Sequence, residues 1–183
     1  GNYRTSWSGT NPLADDTYNK SPWTHDDVSN RTYFEITFIP GLKWRTNFSV
    51  DFYQYNYDGY VNSEYGFAAG YKGSAYKESD RNLSYTINNL LTYEKSFVLL
   101  GQEAYALEYK LLSAEKQGFP FPGVTEIGSA AVMSSMNSYT DKYRLLSWLS
   151  RVEYDYKDRY YISGSFRTDG SSRFHPDNRW GQF

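Results

Sequence analysis

The chain has 183 residues, 39% of them hydrophobic and 20% aromatic, with 20 Tyr, 11 Phe and 5 Trp. Its formal net charge is −2, Lys and Arg are dispersed, and cysteine is absent. These features exclude a basic stripe for nucleic acid, disulfides, thiol nucleophiles and cysteine metal sites, and no apolar run approaches the roughly 20 residues of a transmembrane helix.

Residues 1–30 are rich in Asn, Ser, Thr, Asp, Gly and Pro, lack a period, and read as an irregular loop. Arg31–Ile39 alternates, with Phe34, Ile36 and Phe38 on one face and Tyr33, Glu35 and Thr37 on the other. Pro40-Gly41 is a turn pair. From Leu42 to Tyr57 the alternation is the longest in the chain: Leu42, Trp44, Phe48, Val50 and Phe52 share one face, and Lys43, Arg45, Asn47, Ser49 and Asp51 the other. A strand of a globular protein usually runs about 5–6 residues, whereas a tilted strand crossing a bilayer needs roughly 9–11.

Residues 58–81 carry four Gly and no period, which reads as a long loop. Leu83–Tyr93 is a third strand, Glu94-Lys95 a short turn and Ser96–Tyr109 a fourth strand. Ala104–Lys116 is also a fair helical stretch by propensity, so a helical turn beyond Tyr109 is expected. Residues 113–141, with Phe119-Pro120-Phe121-Pro122-Gly123, form another long loop. Tyr143–Tyr156 is a fifth strand, with Leu146, Trp148, Val152 and Tyr154 opposite Ser147, Arg151, Glu153 and Asp155. After Lys157-Asp158, Tyr160–Thr168 is a sixth, with Ile162 and Phe166 opposite Ser163, Ser165 and Arg167, and residues 169–178 are a polar loop.

Connections therefore alternate short and long. Outer-membrane barrels sort their connections this way, with short turns on the periplasmic rim and longer loops outside. The expected fold is all-β: an antiparallel up-and-down meander of about six strands, a segment of a large transmembrane β-barrel in the bacterial outer membrane. Leu42, Trp44, Phe48, Val50, Phe52, Leu146, Trp148 and Val152 are the lipid-facing candidates. Lys43, Arg45, Asp51, Arg151, Glu153 and Arg167 are the lumen-facing candidates, which in a soluble sandwich would be an ordinary solvated face. Tyr53, Tyr55, Tyr57, Tyr154, Tyr156, Tyr160 and Tyr161 cluster at strand ends, as interfacial girdles do, although Tyr is also a good strand former.

Nothing in the sequence supports catalysis, a cofactor or a metal. His25 and His175 are the only histidines, far apart and without ligand spacing, and read as solvated loop residues. Asp169-Gly170-Ser171-Ser172 lacks both the Gly-Lys of a phosphate loop and the setting of a nucleophile elbow, and reads as a polar turn.

The run Tyr154–Phe174, ending Asp169-Gly170-Ser171-Ser172-Arg173-Phe174, resembles the SusC/RagA family of TonB-linked outer-membrane proteins. Asn178-Arg179-Trp180-Gly181, Asn88–Phe97 and Gly101-Gln102-Glu103 fit the same family, so the resemblance covers most of residues 31–183. It implies a barrel of about 22 strands with an N-terminal plug, importing glycans or peptides in Bacteroidetes with a SusD-like lipoprotein and driven by TonB. Plug and TonB box are absent from this sequence, residues 95–100 look shorter than the family's turn, and Arg179–Phe183 reads as a strand cut off as it begins, so a fragment is expected. The alternative is a soluble β-sandwich carbohydrate-binding module that stacks its Tyr and Trp on sugars.

Overall fold

The structure, a computed structural model, describes residues 12–94 and 97–183. A short helix, α1 (Pro12–Tyr18), precedes seven strands: β1 (Trp23–Ile39), β2 (Leu42–Val61), β3 (Ser74–Tyr93), β4 (Val98–Gln117), β5 (Val132–Tyr156), β6 (Tyr160–Ser171) and β7 (Trp180–Gln182). The strands form one sheet in the order β1-β2-β3-β4-β5-β6-β7. A sandwich would divide its strands between two sheets joined by Greek-key crossovers. A single sheet in sequential order is instead an up-and-down meander, the topology of a barrel wall.

Short connections join β1 to β2 at Pro40-Gly41 and β5 to β6 at residues 157–159. Gly41 sits at φ 90°, and Lys157 and Asp158 both adopt left-handed φ, 56° and 54°. The backbone N–H of Asp158 donates to Asp155 Oδ1 at 2.9 Å, which holds the second turn against that strain. The short connection between β3 and β4 includes residues 95–96, so the Glu94-Lys95 turn, the start of a strand at Ser96 and the shortened family turn lie partly outside the described residues.

Strands run longer than their alternation predicts, always at the long-loop end. β2 continues to Val61 and β3 begins at Ser74, so the loop expected at 58–81 is reduced to 62–73. β4 continues to Gln117 and β5 begins at Val132, which shrinks the loop expected at 113–141 to 118–131. β6 extends to Ser171, leaving 172–179 in place of 169–178. Ala104–Lys116 is strand throughout, because pairing with neighbours on both sides overrides a weak helical propensity. The irregular loop expected at 1–30 contains α1 and the start of β1 among its described residues, so His25 is a strand residue. Lys20 pairs with Tyr60 through both backbone groups, at 2.8 and 2.7 Å, and Asp58 N–H donates to Pro22 O at 2.9 Å. Backbone pairing of this kind needs no apolar side chains, which is why a polar composition concealed it. A three-residue β7 makes seven strands among the described residues where about six are expected.

The chain divides into two compact units. The first comprises residues up to Asp26, Tyr53–Arg81 and Lys110–Thr140, and holds the two longer loops. Its small core is Tyr60, Ala75, Phe119 and Ala130, with Val124 and Ile127 packed against it. The Phe119 ring is 2% exposed and meets Tyr60 edge-on at 5.3 Å between centroids. Backbone bonds clasp the loops: Gly118 N–H to Gly73 O at 3.2 Å and Phe119 N–H to Lys72 O at 2.9 Å. Gly73 lies at φ +81°, and a Cβ there would come within 2.9 Å of Val61 O, so glycine is required. The second unit comprises Asp27–Phe52, Asn82–Tyr109 and Asp141–Phe183.

Phe119→Ala should cost the loop cluster about 3–5 kcal/mol. Hydrogen exchange on the intact protein should accelerate in residues 62–73 and 118–131 and stay slow in Leu42–Phe52; unchanged loop exchange would contradict the packing.

Candidate functional site

The second unit has two chemically distinct faces. Pairing of β5 with β6 sets Arg151 opposite Ser165, Glu153 opposite Ser163 and Leu149 opposite Arg167, and directly paired residues share a face. A Cβ added to Gly101 would strike Leu149 and Leu90, so those positions share that face on β3, β4 and β5. Lys43 and Arg45 join it on β2.

This polar face carries its charges as pairs. Lys43 Nζ lies 2.5 Å from Glu94 Oε1, Arg45 Nη2 2.7 Å from Glu35 Oε2 and Arg31 Nη1 2.8 Å from Asp51 Oδ1. Ser29 Oγ also donates to Asp51, at 2.7 Å, and the Arg45 guanidinium sits 5.0 Å over the Tyr33 ring. Arg151 pairs with Glu153. Arg167 Nε donates to both carboxylate oxygens of Asp169, at 2.8 and 2.9 Å. An amide chain adds to the charges: Asn47 Nδ2 donates to Asn88 Oδ1 at 3.2 Å and Asn88 Nδ2 to Glu103 Oε2 at 3.3 Å. All six lumen-facing candidates thus have an opposite-charge partner on a partly exposed surface. Exposed pairs of this kind contribute about 0.2–1 kcal/mol each, so they order a wet surface more than they hold it together.

The opposite face is apolar. Trp44, Leu91, Leu100, Trp148 and Phe166 line one groove, and Phe34 meets Trp44 edge-on at 6.3 Å. Leu146 and Val152 share the face, their partners on β6 being Gly170 and Gly164. None of the eight lipid-facing candidates is in the buried core of the described residues: Trp148 is 51% exposed, Phe48 and Val152 are exposed, and Leu42, Trp44, Val50, Phe52 and Leu146 are half-buried. A polar ladder crosses this face. Thr46 Oγ1 donates to Asn89 Oδ1 at 2.6 Å, and Asn89 Nδ2 donates to Gln102 Oε1 at 2.8 Å. Three adjacent strands thereby satisfy polar groups among themselves, which lowers the cost of placing them where water is scarce.

In the first unit, a cavity of about 460 Å³ is lined by Tyr57, Tyr60 and Tyr76 together with Asp15, Asp16 and Lys20. Gly59 leaves room for the Tyr57 ring, which would lie 2.8 Å from a Cβ there, and Tyr57 and Tyr76 rings sit 6.0 Å apart. Tyr76 hydrogen-bonds Glu78. The cavity's chemistry is three tyrosine rings beside two carboxylates and one ammonium. His25 packs edge-on against Tyr53 at 4.5 Å, and His175 lies 3.3 Å from Asp177.

No protein-family model matches the chain. It is 29% identical over 190 residues to TonB-dependent receptor P3 of Formosa agariphila, covering 94% of this chain and 19% of that protein. It is 28% identical over 189 residues to TonB-dependent receptor SusC of Bacteroides thetaiotaomicron, covering 96% of this chain and 18% of that protein. The solved RagAB peptide transporter superposes with a TM-score of 0.83 at 21% identity, over 98% of this chain and 21% of that one. The RagAB peptide importer in its open-open state gives 0.81 at 22% identity, over 99% of this chain and 21% of that one. The chain is thus similar in sequence to TonB-dependent receptors and has the fold of a segment of a RagA-type barrel wall. It spans about a fifth of the length of the relatives it matches.

Alternation alone assigns the charged and the apolar residues to opposite faces of their strands. It missed their partners Glu35 and Glu94, because the pairing depends on register between strands, and it missed the Thr46–Asn89–Gln102 ladder, because each member breaks its own strand's apolar series. The cavity at Tyr57 and Tyr76 escaped because it combines residues from strands and α1 that carry no shared spacing. A double-mutant cycle on Arg45→Ala and Glu35→Ala should give a coupling below about 1 kcal/mol; a coupling several times larger would show that the pair is shielded from water.

Proposed function

We propose that this segment forms part of the wall of an outer-membrane TonB-dependent transporter that imports nutrients and is not an enzyme. Leu42, Trp44, Phe48, Val50, Phe52, Leu146, Trp148 and Val152 face lipid; Lys43, Arg45, Asp51, Arg151, Glu153 and Arg167 face the lumen. The long-loop end is external. One observation supports this reading above the others: the apolar and the charge-paired faces stay separate across adjacent paired strands, while the relatives along nearly the whole chain are named TonB-dependent receptors.

Transport by this reading requires parts beyond the segment: a plug displaced through TonB, and a SusD-like lipoprotein that covers the external opening. The ligand is an oligosaccharide or a peptide. Tyr57 and Tyr76 offer ring faces suited to stacking on sugars, and the carboxylates beside them suit hydrogen bonding to either class. The similar RagAB structures are of a peptide transporter.

The intact protein gives the test. Val152→Arg should lower the stability of the folded barrel by about 2–4 kcal/mol, the cost of a cation on the lipid face near the midplane. Ser163→Arg, opposite Glu153 on the other face, should be tolerated. The readout is the fraction of protein migrating as folded barrel in a heat-modifiability gel after refolding into vesicles. Equal tolerance of both substitutions would overturn the assignment of faces.

A further inference from the structure

On β5 the apolar face changes character within one step of its period: Val152, Trp148 and Leu146 are followed by Arg144 and Lys142. Leu146 lies ten residues from Tyr156, at the short turn. That length is ~33 Å of strand at ~3.3 Å per residue. At a tilt of about 40° it rises about 25 Å, the height of the apolar band of an outer-membrane barrel. Arg144 and Lys142 therefore stand where hydrocarbon gives way to headgroups.

There they line a groove of about 730 Å³. Its floor is aliphatic, from Ile87, Ala104, Ala106 and Leu146, and Arg179 also lines it. Trp180 forms a wall: its ring lies across Gly170, where an added Cβ would come within 3.0 Å of it. No carboxylate is among the described lining residues. Lys142 shares its charge with Glu108 at 2.9 Å, and Arg179 Nε donates to Phe174 O at 3.3 Å. The polar face pairs its cations with acids on the same surface, whereas Arg144 has no ion-pair partner among the described residues. The backbone N–H of Arg144 is bound to Ser172 Oγ at 2.8 Å, which anchors its stretch of β5 beside the β6 end.

We propose that this groove holds the phosphorylated headgroup of a lipid in the external leaflet, with Arg144 and Lys142 on the phosphate and the start of an acyl chain on the aliphatic floor. The proposal rests on the lipid-facing assignment above. Charge complementarity selects an anionic headgroup, the apolar floor selects a lipid over a free anion, and a Trp at the wall is the residue type that belongs at that depth.

Tryptophan quenching by brominated lipids tests it on the intact protein in vesicles. Brominated phosphatidylcholine should quench the wild type, and brominated phosphatidic acid should quench it at lower mole fraction. Arg144→Gln should weaken the phosphatidic acid preference about fivefold, and the Arg144→Gln, Lys142→Gln pair further, while Arg144→Lys retains it. Trp180→Phe should remove most of the headgroup-dependent quenching. Excess inorganic phosphate should leave the preference intact. A preference unchanged in the doubly substituted protein, with phosphatidylcholine still quenching, would overturn the headgroup site alone. Abolition of the preference by inorganic phosphate would mark a free-anion site and also overturn it. Absence of quenching by phosphatidylcholine would overturn the lipid-facing assignment itself.

Discussion

The structure depends on parity. Residues paired across antiparallel strands fall on the same side of the sheet, and a shift of one residue would exchange the faces. In the second unit Arg167 opposes Leu149, Ser163 opposes Glu153 and Gly170 opposes Leu146. That register keeps Trp44, Leu100, Trp148 and Phe166 on one surface. A bilayer enforces such a separation, because hydrocarbon offers no partner to a backbone or side-chain polar group. Every strand between two neighbours meets that demand through its ladder, and the Thr46–Asn89–Gln102 chain meets it for side chains that would otherwise break the apolar face.

The charged face has a different logic. Its cations and acids are neighbours on adjacent strands or two positions apart on one strand, as Arg45 is to Glu35 and Arg151 to Glu153. Neutralised in place, they present a wet surface of low net charge. The stronger chemical character lies in the first unit, where Tyr57 and Tyr76 stand beside Asp15, Asp16 and Lys20.

What the sequence made legible follows from the same physics. Where a strand has one apolar and one charged face, alternation is strong, and Leu42–Phe52 and Leu146–Tyr156 can be read directly. Beyond Phe52 the even positions become Gln54, Asn56 and Asp58. The aromatic residues shift to the odd positions Tyr53, Tyr55 and Tyr57, and the pattern stops at Asp58-Gly59, so β2 reads as finished at Tyr57 although its pairing runs to Val61. The same loss of pattern concealed the first residues of β3 and β5. Phe119 was visible only as part of a Pro- and Gly-rich loop, since its role in the small core comes from contact with Tyr60, far away in sequence. The polar ladder and the ion pairs were hidden for the complementary reason: they are properties of register, which a single strand does not contain.

A nitroxide scan of Leu42–Tyr57 in the intact protein tests the account most directly, and the absence of cysteine from this sequence simplifies labelling. Accessibility to oxygen and to a water-soluble nickel complex should oscillate with a period of two and in opposite phase. Oxygen should peak at positions 42, 44, 48, 50 and 52, and its oscillation should collapse from position 54 onward. Oscillation of both reagents in the same phase, or protection of the even positions from both, would contradict a wall with lipid on one side and water on the other.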